Sequence, residues 1–325
     1  MIKDVINWNY ADVRKLYCKI RLMDANSTFR SFRNSPNFSI KHTNYFDIYD
    51  EILKKYVGKR ISFVEIGILD GGSLFMWRDF LGENARIIGV DLNPEAVKWR
   101  DHGFEIVIGD QSDPNFWLQF FQEIGDVDVL LDDGGHRNDQ QIVTLESALP
   151  RILDGGMIIV EDTQTSFMKF ESFRKYTFVH YLQAKIQALY ARSGELRLSK
   201  ERYSELVHSI EFFTGICVVK VDRTKCAPTN RIENSGTRNN ANDFRYENDG
   251  SLVSFLRFIY NWISWDNMSD LRAIRHPFVN SIMKSPITRF SSRLFIVPVR
   301  FCIYLLLKSS NYIHLRRTLN QIKDI

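Results

Sequence analysis

Two short runs of this sequence carry most of its chemistry. Leu131-Asp132-Asp133-Gly134-Gly135-His136 ends one apolar run, and Val160-Glu161-Asp162-Thr163 ends another. If these runs are neighbouring parallel strands, their ends lie roughly 5 Å apart. Four carboxylates and an imidazole then converge on one sheet edge. So many acids repel one another unless a cation offsets them. A hard divalent ion does so well, and oxygen donors favour Mg²⁺ or Ca²⁺ over zinc. The plainer alternative is that the acids cap helices and accept from loop amides, with His136 packed as an ordinary loop histidine.

A second constellation lies upstream. Val64-Glu65-Ile66-Gly67-Ile68-Leu69-Asp70-Gly71-Gly72-Ser73 follows an apolar run and opens a helical one. Glycines let a ligand approach the backbone, and the helix start offers free N–H donors to an anion. In S-adenosylmethionine that anion is the methionine carboxylate. Asp91 follows Gly67 by 24 residues and ends the next apolar run, where it can accept from both ribose hydroxyls. Asp110, in Gly109-Asp110-Gln111, can accept from an adenine amino group. Both acids could instead cap the helices that follow them. A dinucleotide-binding unit would prefer GxGxxG, whereas this loop reads GxxxGG.

These residues need a scaffold that brings strand ends together. Short apolar runs at Ile61–Ile66, Ile87–Val90, Phe104–Ile108, Val127–Leu131 and Met157–Val160 alternate with helical stretches, including Ser73–Leu81 and Pro94–Arg100. That is the pattern of a parallel sheet covered on both faces. Residues 163–208 read as helices over the sheet. Ser209–Phe213 and Ile216–Val221 flank Thr214-Gly215 as a hairpin.

Composition narrows the classes. Apolar residues form 44% of the 325, and charged residues 25%, which suits a soluble core. The net charge of +4 is too small to imply nucleic acid. It is concentrated: residues 284–325 hold eight Lys/Arg and one acid, while the rest carry 35 basic and 38 acidic side chains. Cys18, Cys217, Cys226 and Cys302 show no CxxC spacing, so neither a zinc site nor a disulfide framework is expected. The N-terminus lacks the apolar core of a signal peptide, and no run reaches the roughly 18 apolar residues of a membrane span. A cytoplasmic location follows as the expectation, with contact to the inner face of the membrane open.

DDGGH with Gln140-Gln141, followed by DGGMIIVEDTQTSF at 154–167, resembles the macrocin and mycinamicin sugar O-methyltransferases. It is also similar to the cephalosporin hydroxylase-type proteins. EIGILDGGSLFMWRDF at 65–80 and HTNYFDIYDEIL at 42–53 fit the same group. The resemblance implies an α/β fold, a Rossmann-like doubly wound methyltransferase sheet with an antiparallel last strand. It implies S-adenosylmethionine and Mg²⁺ or a similar cation as cofactors. Asp133, Glu161 and Asp162 would hold the metal, and His136 would be the general base. Tyr45, Glu65, Gly67, Ser73, Asp91, Asp110 and Asp132 would lie around the cofactor. Gly135 and Gln164 depart from the Ser and His frequent in the macrolide-sugar enzymes, which leaves the acceptor open.

The expected organisation is a helical N-terminal arm over 1–41, a methyltransferase domain over 42–222, a polar linker over 223–250 and a basic, aromatic helical extension over 251–325. The stretch around Leu294–Leu307 could lie in an anionic membrane interface or pack on this domain or a second subunit. The expected activity is metal-dependent methylation of a sugar hydroxyl, on a cell-surface glycan or a glycosylated metabolite. The alternatives are an O-methyltransferase of a phenolic or catechol-like diol, and a non-catalytic binding protein with the same fold.

Overall fold

The computed structural model describes residues 27–168, 177–193 and 201–237, together with Cys302, Leu305 and Leu306. The chain divides into two compact units, residues 1–233 and 234–325. Every element below belongs to the first. The expectations for residues 1–26 and for nearly all of 251–325 lie outside the described residues. Among the described residues, no helix is long and apolar enough to cross a membrane.

Among the described residues, two α-helices precede the sheet, α1 (Thr28–Asn34) and α2 (Tyr45–Leu53). Asp50 of α2 fixes the start of α1, accepting from the Thr28 backbone N–H at 2.8 Å and its hydroxyl at 2.6 Å. The alternating unit follows as β1 (Ser62–Ile66), α3 (Gly72–Leu81), β2 (Arg86–Asp91), a 3-10 segment (Pro94–His102), β3 (Glu105–Ile108), α4 (Pro114–Ile124), β4 (Val127–Asp132), α5 (Asn138–Ala148) and β5 (Ile152–Val160). Then come α6 (Phe178–Tyr190), α7 (Arg202–Leu206) and the hairpin β6 (Val207–Phe212) and β7 (Cys217–Val221). Asn93 and Asp113 cap the elements after β2 and β3, each accepting from the N–H two residues on, with Pro at the next position.

The seven strands run in the order β3-β2-β1-β4-β5-β7-β6. β1 to β5 pair in parallel; β7 is antiparallel to both β5 and β6. The α/β class, the mostly parallel sheet and the antiparallel closing strand are as the sequence predicts. The helical stretch expected between β2 and β3 is a 3-10 helix over Pro94–His102, and β5 starts at Ile152 rather than Met157. Of its extra residues, 152–156, the middle three are exposed beside an irregularity in the pairing with β4, so the apolar pattern does not reveal them.

Alternate strand residues feed two cores. Phe63, Val129, Leu131, Met157 and Ile159 pack with Tyr49, Trp77 and Phe80 of α2 and α3. Val64, Leu130, Ile158 and Val160 pack with Trp117, Leu145 and Leu182 of α4, α5 and α6.

The order reverses between β1 and β4, which opens a crevice at their carboxyl ends. There the two loops touch. Asp133 N donates to Ile66 O at 3.0 Å, and a Cβ on Gly67 would meet Asp133 O at 2.2 Å. Gly67 also has φ +80°, which L side chains adopt at a cost. Gly67→Ala therefore combines strain with overpacking and should destabilise the fold by about 2–4 kcal/mol in urea unfolding. A change below about 0.5 kcal/mol, the range of an unconstrained surface site, would mean that the loops are not held this closely.

Candidate active site

Sheet register builds the site. Ile66, Asp132 and Val160 are paired across β1, β4 and β5. The residues just beyond, Asp133 and Glu161, are therefore neighbours, and Glu65 lies one residue back on β1. These three carboxylates surround one ammonium. Lys41 Nζ lies 2.5 Å from Asp133 Oδ2, 3.0 Å from Glu161 Oε1 and 3.8 Å from Glu65 Oε1. Its side chain is 1% exposed. Burial pulls the Lys41 pKa down, but Asp133, Glu161 and Glu65 outweigh it and the net shift is upward. The amine is a fixed cation.

One ammonium does not neutralise three carboxylates. Burial raises the Glu161 pKa well above the ordinary carboxylate value despite Lys41 and a short hydrogen bond from the Tyr49 hydroxyl. Burial likewise lifts Glu65 to about 7, against the opposing pull of Lys41 and of the Ser73 hydroxyl, which donates to Glu65 Oε2 at 2.7 Å. Glu65 Oε1 is buried with no hydrogen-bond partner among the described residues.

Beside this buried half lies a more open one. His136 Nε2 stands 3.3 Å from Asp162 Oδ2, with side chains 31% and 22% exposed. Asp133, His136 and Asp162 each offer a ligand atom within 4.8 Å of the others. Asp162 Oδ1 accepts from the Tyr45 hydroxyl at 2.6 Å and from Gln164 Nε2 at 2.9 Å. Burial works against its charge, but these donors, with His136 and His42, hold its pKa below the ordinary value. Tyr45 reaches Asp162 past the hairpin turn, where a Cβ on Gly215 would meet the hydroxyl at 2.6 Å. Among the described residues, three non-glycine residues have positive φ: Leu69, His136 and Asp162. All three lie in loops leaving β1, β4 and β5, and such strain clusters at functional sites.

The remaining expected residues form the floor and the cofactor side. Asp132 is buried; its Oδ1 accepts from Gln111 Nε2 at 2.9 Å and Gly134 N at 3.2 Å. Burial raises its pKa to about 6. Gln111 Oε1 accepts from Gly135 N at 2.9 Å, so Gln111 shapes the Gly134-Gly135-His136 turn. Asp91 accepts from Ile68 N at 3.0 Å and Asn93 N at 2.8 Å, tying the loop after β1 to the end of β2. Asp110 is exposed and accepts from Ser112 N and Oγ.

The structure thus brings Asp133, His136 and Asp162 together and turns Glu161 inward to Lys41 and Tyr49. Sequence reasoning missed Lys41, Tyr49 and Gln111. Tyr49 had a signal: it stands four residues after Tyr45, on the same helix face.

Residues 64–163 match the family model of a methyltransferase domain. This bears out the resemblance read from the sequence. The segment includes both acid-rich strand ends, the glycine loop, Asp91 and Asp110. Among curated proteins, the chain is 31% identical to 8-demethyl-8-alpha-L-rhamnosyl tetracenomycin-C 2'-O-methyltransferase of Streptomyces olivaceus, over 39% of this chain and 34% of the relative. It is 29% identical to demethylmacrocin O-methyltransferase of Streptomyces fradiae, over 37% of this chain and 31% of the relative. It is 28% identical to mycinamicin VI 2''-O-methyltransferase of Micromonospora griseorubida, over 41% and 34%. The chain spans about a third of the length of these curated relatives. A solved methyltransferase from the mycinamycin biosynthetic pathway, in complex with Mg and SAH, shares the fold. Its TM-score is 0.55 at 21% identity, covering 63% of this chain and 56% of that one.

The electrostatics of the buried half give a pH signature. The folded pKa of Glu65, about 7, lies above its ordinary value of 4.5. Its stability contribution is therefore fully present below pH 4.5 and lost as pH rises through 7. Glu65→Gln keeps an acceptor for Ser73 without the titration. In chelator, the variant should gain roughly 2–4 kcal/mol on wild type between acidic pH and pH 8 in paired urea titrations. A pH-independent difference would mean that folding leaves the Glu65 pKa at its ordinary value.

Proposed function

We propose that this chain transfers a methyl group from S-adenosylmethionine to a sugar hydroxyl, with Mg²⁺ or a similar divalent cation. The observation that carries the reading is the convergence of Asp133, His136 and Asp162 at the carboxyl ends of β4 and β5. The sugar O-methyltransferases among its relatives support the acceptor class. The solved relative with Mg and SAH supports the cofactor pair.

The residues fit a hard cation. Two carboxylates with an imidazole beside them lie at the lip, the acids behind them outnumber Lys41, and Glu65 and Asp132 each keep a buried oxygen without a hydrogen-bond partner among the described residues. Asp133 and Asp162 would hold the ion at the lip, with Glu161 joining them once it is free of Lys41. A bound divalent cation supplies positive charge that stabilises a sugar alkoxide.

The rest of the work falls to the chain. The backbone from Gly67 to Gly72 would seat the methionine carboxylate at the start of α3, with Ser73, Asp91, Asp110 and Asp132 around the nucleoside. His136 takes the hydroxyl proton. Asp162, at 3.3 Å, stabilises the imidazolium that results. Tyr45 and Gln164 fix Asp162, and Thr165 Oγ1 donates to His136 O at 3.0 Å, which steadies the strained backbone. Holding the acceptor oxygen in line with the methyl carbon supplies much of the remaining rate. The acceptor is a sugar of a glycan or of a glycosylated metabolite.

The test is methyl transfer from labelled cofactor to a panel of glycans and glycosylated small molecules, with Mg²⁺ and with excess chelator. Turnover should require the cation. His136→Ala should cut it by roughly 10²–10⁴ while cofactor affinity stays near wild type. Full turnover in chelator would remove the metal from the reaction, and wild-type turnover of His136→Ala across roughly pH 5–8, the range in which an imidazole titrates, would remove the base.

A further inference from the structure

Lys41 stands in a place that a metal reading needs. Its neighbours Ile40, His42, Thr43 and Asn44 are exposed, yet its own side chain is 1% exposed and ends among Glu65, Asp133 and Glu161. The segment that carries it, between Ser35 and Asn44, has no helix or strand. It crosses the start of α3, where Ser35 Oγ donates to Gly72 O at 2.8 Å and a Cβ on Gly72 would meet Phe38 O at 2.4 Å. Lys41 is thus a single charged plug let down from an irregular strap.

A cation held by both Asp133 and Glu161 cannot coexist with that plug. Mg²⁺ binds oxygens at about 2.0–2.1 Å. Lys41 Nζ already sits 2.5 Å from Asp133 Oδ2, and 3.0 and 3.1 Å from the two Glu161 oxygens. An ion bridging those carboxylates would occupy nearly the same point. Exchange is favourable in charge, because a divalent ion offsets three carboxylates better than one ammonium does. It is also cheap in structure, because the side chain needs only to swing outward from an irregular segment.

We propose that Lys41 is a tethered competitor for the divalent cation, alternating with it on Asp133 and Glu161. The ammonium keeps the carboxylates together when no metal is present and yields Glu161 as a ligand when the metal enters. The proposal rests on the metal reading above and concerns the order of events at that site.

Two measurements without turnover test it. In calorimetric titration with Mg²⁺ alone, Lys41→Met should bind about tenfold more tightly than wild type, because a competing state lowers apparent affinity by the fraction of time the site is free. In wild-type protein, acylation of Lys41 by an amine-directed reagent, read by peptide mass spectrometry against the other lysines, should rise several-fold on adding Mg²⁺. The second measurement stands even if Lys41→Met does not fold. Equal or weaker Mg²⁺ binding by the variant, or unchanged labelling while wild type binds Mg²⁺, overturns the competition and leaves the metal reading intact. Exposure of Lys41 by S-adenosylhomocysteine in chelator, but not by Mg²⁺, also overturns it. No Mg²⁺ binding by either protein, with no change in labelling, removes the metal reading and this proposal together.

Discussion

The structure turns on the gathering of Glu65, Asp133 and Glu161 around one buried ammonium. Parallel pairing of β1, β4 and β5 imposes it, since Ile66, Asp132 and Val160 are in register and the acids sit at or beside those positions. Like charges in a buried place are costly unless each has a partner. The surrounding side chains follow from that need. Tyr49 donates to Glu161, Ser73 donates to Glu65, and Lys41 reaches in from a strap that must cross the glycine loop.

Two halves with different properties result. The inner half is buried, with Lys41, Glu65 and Glu161 all but closed to solvent. The outer half, His136 with Asp162, is partly open. Asp133 belongs to both, 18% exposed, contacting Lys41 on one side and lying within ligand distance of His136 and Asp162 on the other. A charge change in one half is therefore felt in the other. The floor beneath Asp133 is kept rigid by Gln111, which grips Asp132 and Gly135 at once.

Much of this was legible in the sequence because strand ends advertise themselves. An apolar run that stops at Asp-Asp-Gly-Gly-His or Glu-Asp states both an element and its chemistry, and the parallel order follows from alternation with helices. What stayed hidden depends on contacts distant in sequence. Lys41 lies 92 residues from Asp133 and 120 from Glu161. In sequence it is one basic residue in a basic, polar arm. Gln111 reads as a loop residue until the fold sets it beside Asp132. The ligand role of Glu161 looked equal to that of Asp162, because adjacency on a chain does not say that one side chain faces inward and its neighbour outward.

The central claim is that this sheet edge is built for S-adenosylmethionine. Calorimetric titration with that cofactor and, separately, with NAD tests it without any acceptor. Saturable binding of S-adenosylmethionine is predicted, weakened by about 1–3 kcal/mol in Asp91→Ala, with no comparable affinity for NAD. Preference for NAD, or S-adenosylmethionine binding that Asp91→Ala leaves unchanged, would contradict the account.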